Sequence, residues 1–69
     1  MAVLSCLIRN QGRLVRREII LAEVWGPAYA DASALLHDAI SRLRRRFTAA
    51  GALRSPIETM HGVGYRIDP

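Results

Sequence analysis

Ile57-Glu58-Thr59-Met60-His61-Gly62-Val63-Gly64-Tyr65-Arg66-Ile67 decides the fold. It reads as two short strands folded around a tip flanked by glycines, with a basic or aromatic residue on either side. Gly62 and Gly64 permit a tight tip with positive φ, because a residue without a Cβ enters that region at no steric cost. A hairpin of this kind reaches outward from a small body. Just before it stands Ser41-Arg42-Leu43-Arg44-Arg45-Arg46, four arginines in five positions. A helix carrying that cluster beside an outward hairpin makes a surface suited to a nucleic-acid backbone.

Working back from the hairpin, Leu36, Ile40, Leu43 and Phe47 recur at spacings of four, three and four, the stripe of an amphipathic helix over 33–50. At the helical period, the face opposite the stripe carries Ala34, Leu35, Asp38, Ser41, Arg42, Arg45 and Arg46. Asp31 or Ser33 can cap the start of this helix, and Gly51 closes it. An earlier helix over 17–25 presents Ile20, Leu21 and Val24 inward and stops at Gly26-Pro27. The first helix, 2–10, is apolar almost all round through Val3, Leu4, Cys6, Leu7 and Ile8 and ends at Gly12. Arg13-Leu14-Val15 between the first two helices is a short extended candidate. Helix, short strand, helix, loop, longer helix and hairpin is the order of a winged helix-turn-helix. The expected class is α+β, mostly α, in a single domain over 1–69, with three helices and a C-terminal wing hairpin over 57–67.

Composition narrows the functional classes. A domain of 69 residues buries only about 60% of the surface that its unfolded chain exposes. The hydrophobic share is nevertheless 51%, which predicts an apolar surface awaiting a cover. Net charge is +4, and all ten cationic residues are Arg. The guanidinium fork matches phosphate oxygens and guanine edges; a GC-rich coding sequence explains the missing Lys equally well but not the clustering. A single cysteine, Cys6, excludes an internal disulfide and fits a cytoplasmic setting. The apolar start stops at Arg9, too short to span a bilayer, so no membrane partner is expected.

With the elements in this order, the residues resemble those of the OmpR/PhoB family of DNA-binding domains. Ala39-Ile40-Ser41-Arg42-Leu43-Arg44-Arg45-Arg46 is similar to the family's HISRLRKK stretch, and Ile57 to Arg66 to its I-x-T-V-R-G-V-G-Y-R ending. Gly12 to Glu18 resembles GRVVSRE, and Val24-Trp25-Gly26 resembles VWG. The resemblance implies a response-regulator effector domain that binds double-stranded DNA and regulates transcription, with RNA polymerase as a further candidate partner. It also implies base or phosphate contacts at Asp38, Ser41, Arg42, Arg44 and Arg45. On the hairpin it places His61 and Arg66 along the minor groove and the Tyr65 hydroxyl near phosphate, and it offers the Trp25 indole N–H as another phosphate donor. Arg42 stands out for direct base readout, since a bidentate Arg to guanine supplies about 1 to 3 kcal/mol of discrimination.

Each of these positions also has a plainer role. Arginines at a helix end favour the C-terminal dipole, Tyr65 fits a half-buried strand, and Trp25 at the end of an amphipathic helix fits a core. His37, with no second ligand nearby, suits a structural or solvated role rather than a metal. No nucleophile, base and orienting group can be assembled from the serines and histidines, so neither enzymatic activity nor a cofactor is expected.

The chain also departs from the family pattern. Where the family starts its third helix with R-T-V-D-V-H, this chain has Ala34-Leu35-Leu36-His37-Asp38-Ala39. That removes two phosphate contacts and puts Leu35 and a carboxylate on the outward face. His61 replaces the wing-tip Arg, which weakens attraction to a narrow minor groove. Arg16 replaces a capping Ser, losing that cap but gaining a side chain able to reach phosphate. The family's N-terminal four-stranded sheet, which packs on the first helix, has no counterpart here. Val3, Leu4, Leu7 and Ile8 are therefore expected to form an exposed patch, covered by a second copy, an upstream region or another protein. The alternative function is a protein-interaction module that keeps the fold and has lost most DNA binding, with Leu35 marking the partner surface.

Overall fold

The computed structural model describes residues 2–53 and 55–68. Its elements are α1 (Ala2–Arg9), β1 (Val15–Arg16), α2 (Arg17–Trp25), a 3₁₀ turn (Pro27–Tyr29), α3 (Ser33–Ala49), β2 (Ile57–Met60) and β3 (Gly64–Ile67). The three helices and the hairpin follow the expected order. The hairpin, however, belongs to a three-stranded antiparallel sheet of order β1-β3-β2. Val15 pairs with Tyr65 and Arg16 with Gly64, so the extended candidate before α2 becomes the strand that anchors the wing to the body.

α1 buries one face rather than its whole circumference. Val3, Cys6 and Leu7, at i, i+3 and i+4, are each 2% exposed or less. This corrects the expected patch of four: Val3 and Leu7 belong to the core, Leu4 packs partly against it, and only Ile8 stands out, at 51% exposure. The helix stops at Arg9, one residue short of the expected range. Asn10 Nδ2 donates to the Cys6 carbonyl at 2.8 Å, satisfying one of the carbonyls that a helix end leaves open. Beyond it, Gly12 adopts φ 83° and its N–H donates to the Ile67 carbonyl at 3.0 Å, tying the turn to β3.

α2 starts directly from β1. Its N-cap is Arg16, with no side-chain cap bond, as the loss of a capping Ser implies. Ile20 and Leu21 are fully buried, and Val24 and Trp25 pack partly against the core. Gly26, at φ 110°, ends the helix and donates its N–H to the Ala22 carbonyl.

α3 carries the longest core stripe. Leu36, Ala39, Ile40 and Leu43 are buried, with Phe47 partly so. The expected cap by Asp31 or Ser33 is not formed: Ala32 is the N-cap, with no side-chain bond, and its carbonyl accepts the Leu35 N–H at 3.0 Å. The helix ends at Ala49, followed by Gly51 at φ 93°.

The core joins these faces to Val15, Ile57, Tyr65 and Ile67 from the sheet, and among the described residues it contains no buried polar or charged side chain. Burial of a large aliphatic side chain contributes about 1.5–3 kcal/mol. Leu7, Ile20, Leu21, Leu36 and Ile40 therefore fix α1, α2 and α3 to one another. No helix of the described residues is long and apolar enough to cross a membrane.

Candidate nucleic-acid interface

α3 spans 17 residues, about 25 Å of helix. Its inner stripe is fixed in the core, so the orientation of its outer face is fixed too. Ala34, Leu35, Asp38, Ser41, Arg42, Arg45 and Arg46 are all exposed, the face expected from the helical period. β2, the wing tip and the start of β3 flank this helix across a cleft of about 210 Å³. Ser33, His37, Ser41 and Arg44 line one wall and Thr59, Met60, His61 and Gly62 the other, above a floor that includes Leu36, Ile40 and Tyr65.

The wing tip is built by two glycines with different duties. The Val63 N–H donates to the Met60 carbonyl at 3.0 Å, closing a turn in which Gly62, at φ 76°, occupies the position that a type II turn reserves for positive φ. Gly64 does not have positive φ, contrary to the expectation for it. Its requirement is space: a Cβ there would lie 2.0 Å from the Val15 carbonyl oxygen and 2.9 Å from the Arg16 Cα. The backbone of β1 occupies the room that a side chain would need. The Arg17 N–H donates to the Val63 carbonyl at 3.1 Å, so the start of α2 also holds the tip. His61 is exposed at that tip.

The arginines fall into distinct groups. Arg42 forms an exposed ion pair with Asp38 one turn earlier on α3, so the carboxylate on the outer face holds a neighbouring guanidinium. Arg45 and Arg46 are exposed and enter no ion pair among the described residues, and Arg13 and Arg16 share that state near β1. Arg44 lies off the outer face, half-buried beside the sheet. Its Nη2 donates to the Ile57 carbonyl at 3.0 Å and to Thr59 Oγ1 at 2.6 Å.

On the outer face of the sheet, Arg66 Nη2 donates to both Glu58 carboxylate oxygens at 2.9 Å. The hydrogen bond to Glu58 and its charge raise the Arg66 pKa further. Arg66 is therefore charge-compensated within the wing. Tyr65 is 5% exposed and belongs to the core, the strand-aromatic role, with part of its side chain at the floor of the cleft. Trp25 packs partly against the core on α2.

The structure thus brings Asp38, Ser41 and Arg42 together with Arg45 on one helix face and sets His61 across the cleft. It places Trp25, Tyr65 and Arg66 in packing or paired positions. Arg13 and Arg46 were absent from the expected contact set, and Arg16 entered it only as a replaced cap able to reach phosphate. Their signal in the sequence was only unpaired charge, which cannot be recognised until the partners of the other arginines are known. No group of three or more His, Cys, Asp or Glu among the described residues is arranged to hold a metal.

Comparison with known proteins agrees with this architecture. Residues 1–67 match the family described as "Transcriptional regulatory protein, C terminal". The chain is 39% identical over 66 residues to the transcriptional regulatory protein KdpE of Mycobacterium tuberculosis, covering 96% of this chain and 29% of that protein. It is 42% identical over 64 residues to the response regulator MprA of Mycobacterium sp., covering 93% and 27%. Against the regulatory protein VanRB of Enterococcus faecalis it is 33% identical over 66 residues, covering 96% and 28%. It therefore spans under a third of the length of these curated relatives. A winged helix of this element order, an arginine-bearing outer face on α3 and a match over nearly every residue lead to one conclusion: the chain belongs to the OmpR/PhoB-type family of DNA-binding C-terminal domains of transcriptional regulators.

Proposed function

We propose that this chain binds double-stranded DNA sequence-specifically by seating α3 in the major groove, with the wing along the adjacent minor groove. The observation that carries the proposal is the exposed outer face of α3, which presents Arg42 and Arg45 to solvent with the wing set beside it. A B-DNA major groove about 12 Å wide admits one helix and exposes guanine N7 and O6 to a bidentate Arg. Arg42, held by Asp38, takes that role; Ser41 and Arg45 reach neighbouring base edges or phosphates. His61 approaches the minor groove, and Arg13, Arg16 and Arg46 supply further phosphate contacts. Neutralising roughly 4 to 6 phosphates gives a slope of log K against log salt of about −4 to −5.

In this proposal the regulator acts in the cytoplasm within a two-component system, on tandem or paired sites, with RNA polymerase as a downstream partner. The apolar surface available to a second copy or to an upstream region is centred on Leu4 and Ile8 of α1, since Val3 and Leu7 are buried.

The exposure of Leu35, 39% on the same outer face, is the observation that favours the rival protein-interaction role. Leu35→Arg separates the two. If α3 faces phosphates, the added charge raises duplex affinity and steepens the salt slope by about 0.9. Unchanged or weaker binding of duplex by Leu35→Arg would contradict the DNA-facing assignment.

A further inference from the structure

Arg44 lies on the arginine-rich stretch of α3 but off its outer face, and its side chain bonds to β2. We infer that Arg44 is a positioning residue that locks the wing to the reading helix, rather than a phosphate ligand; this deepens the DNA-binding assignment proposed above and rests on it.

The geometry gives Arg44 two partners on one strand. One Nη2 donates to the Ile57 carbonyl at 3.0 Å and to Thr59 Oγ1 at 2.6 Å, and both bonds are partly shielded from solvent. Ile57 and Thr59 are two apart, so both lie on the inward side of β2, where Ile57 pairs with Ile67 and Thr59 with Tyr65. Ile57, Tyr65 and Ile67 are core residues. The guanidinium therefore bridges α3 to the strand that carries the wing, at the wall of the cleft.

The bridge has two companions. The Arg17 N–H holds Val63 at the tip, and β1 presses against Gly64. Three elements thus fix the wing from three sides, and the Arg44 bridge hydrogen-bonds it to the helix that would read the groove. A wing and helix fixed in relative position meet minor and major grooves in one register without an ordering cost at binding. An arginine whose Nη2 is held by a carbonyl and a hydroxyl gains little by swinging out to a phosphate, because it would leave those acceptors unpaired in a half-buried place.

Measuring duplex affinity across a salt series for wild type, Arg44→Met, Arg44→Lys, Thr59→Val and the Arg44→Met/Thr59→Val double variant tests the assignment. The probe is a labelled duplex drawn from a pool enriched on the wild-type protein. A bridge predicts that Arg44→Met and Thr59→Val each weaken binding severalfold, that the double variant is no weaker than Arg44→Met alone, and that the salt slope keeps its wild-type value throughout. Arg44→Lys keeps the charge on a shorter, more flexible stem that does not carry a donor to where Nη2 stands, so it behaves like Arg44→Met. A phosphate ligand predicts the opposite pattern: Arg44→Met flattens the slope by about 0.9, Arg44→Lys restores affinity, and Thr59→Val is silent. That pattern, or wild-type affinity in Arg44→Met, overturns the inference.

Hydrogen exchange of the wing amides keeps the test separate from DNA binding. Arg44→Met and Thr59→Val should each speed exchange in residues 57–67 by about tenfold relative to α1, non-additively. If no duplex is bound by any form but this coupling is present, the DNA assignment fails and the bridge stands. If exchange is unchanged in both variants, the bridge fails whatever the DNA result.

Discussion

Gly64→Ala tests whether the wing is built around a backbone contact or only around a flexible turn. A Cβ at this position would stand 2.0 Å from the Val15 carbonyl oxygen and 2.9 Å from both Val15 C and Arg16 Cα. All three atoms are backbone, so no side chain can swing aside, and β1 has to move away from β3. Only the pairs Val15 with Tyr65 and Arg16 with Gly64 join these strands, and a strand this short cannot shift and keep its ladder. Overpacking costs about 1–3 kcal/mol, and each ladder hydrogen bond lost costs roughly another 0.5–1.5 kcal/mol. The total is about 3 kcal/mol or more, which lowers the melting temperature of a domain this size by about 12 °C or more. Gly62→Ala supplies the control. Gly62 has positive φ but nothing within 4 Å of a built Cβ, so its cost is only left-handed strain, about 1–2 kcal/mol. Thermal melts followed by circular dichroism should rank wild type above Gly62→Ala, and Gly62→Ala well above Gly64→Ala. If Gly64→Ala melts within a few degrees of wild type, or above Gly62→Ala, the wing is not anchored through β1.

Burial, followed by the hydrogen bond to Glu23, pushes the Cys6 thiol up from its ordinary 9.0 to about 11. The unfolded chain then loses its thiol proton first as pH rises, so stability should decline between pH 9 and 11 by about 1–2 kcal/mol after allowance for solvent screening. Denaturant titrations of wild type against Cys6→Ala check this, and an equal alkaline slope in both would contradict it. At the wing tip, His61→Arg adds a permanent charge to an exposed position and should raise duplex affinity while steepening the salt slope by about 0.9; anisotropy titrations showing unchanged affinity would place the tip away from the DNA.

α3 was the most legible part of the sequence. Leu36, Ile40, Leu43 and Phe47 repeat through about three turns, so their period fixes the outer face without knowledge of any neighbour, and each of the seven residues assigned to that face is exposed. Contacts that join distant segments were much less legible. β1 is two residues long and becomes a strand only through β3, fifty residues later; no local pattern of that length separates a strand from a loop. The two glycines of the tip look alike in sequence, yet one answers to φ and the other to the backbone of β1. α1 looked apolar on every side because eight residues hold too few turns to reveal which apolar side chains face inward. The candidate site shows the same division. Arg42, Arg44, Arg45 and Arg46 are chemically identical in the sequence, but Asp38 holds one, the wing takes another and two remain unpaired among the described residues. Helical period predicted the sides, and only the packed wing reveals the partners.

The most direct test of DNA reading by α3 is fluorescence anisotropy of a labelled random 20-mer duplex titrated with wild type and with Arg42→Ala/Arg45→Ala over a salt series. The account predicts micromolar wild-type binding that falls with salt at a log–log slope of roughly −4 to −5, and a double variant that loses most of the affinity and has a flatter slope. Absence of wild-type binding at low salt, or a double variant that binds as wild type does, would contradict it.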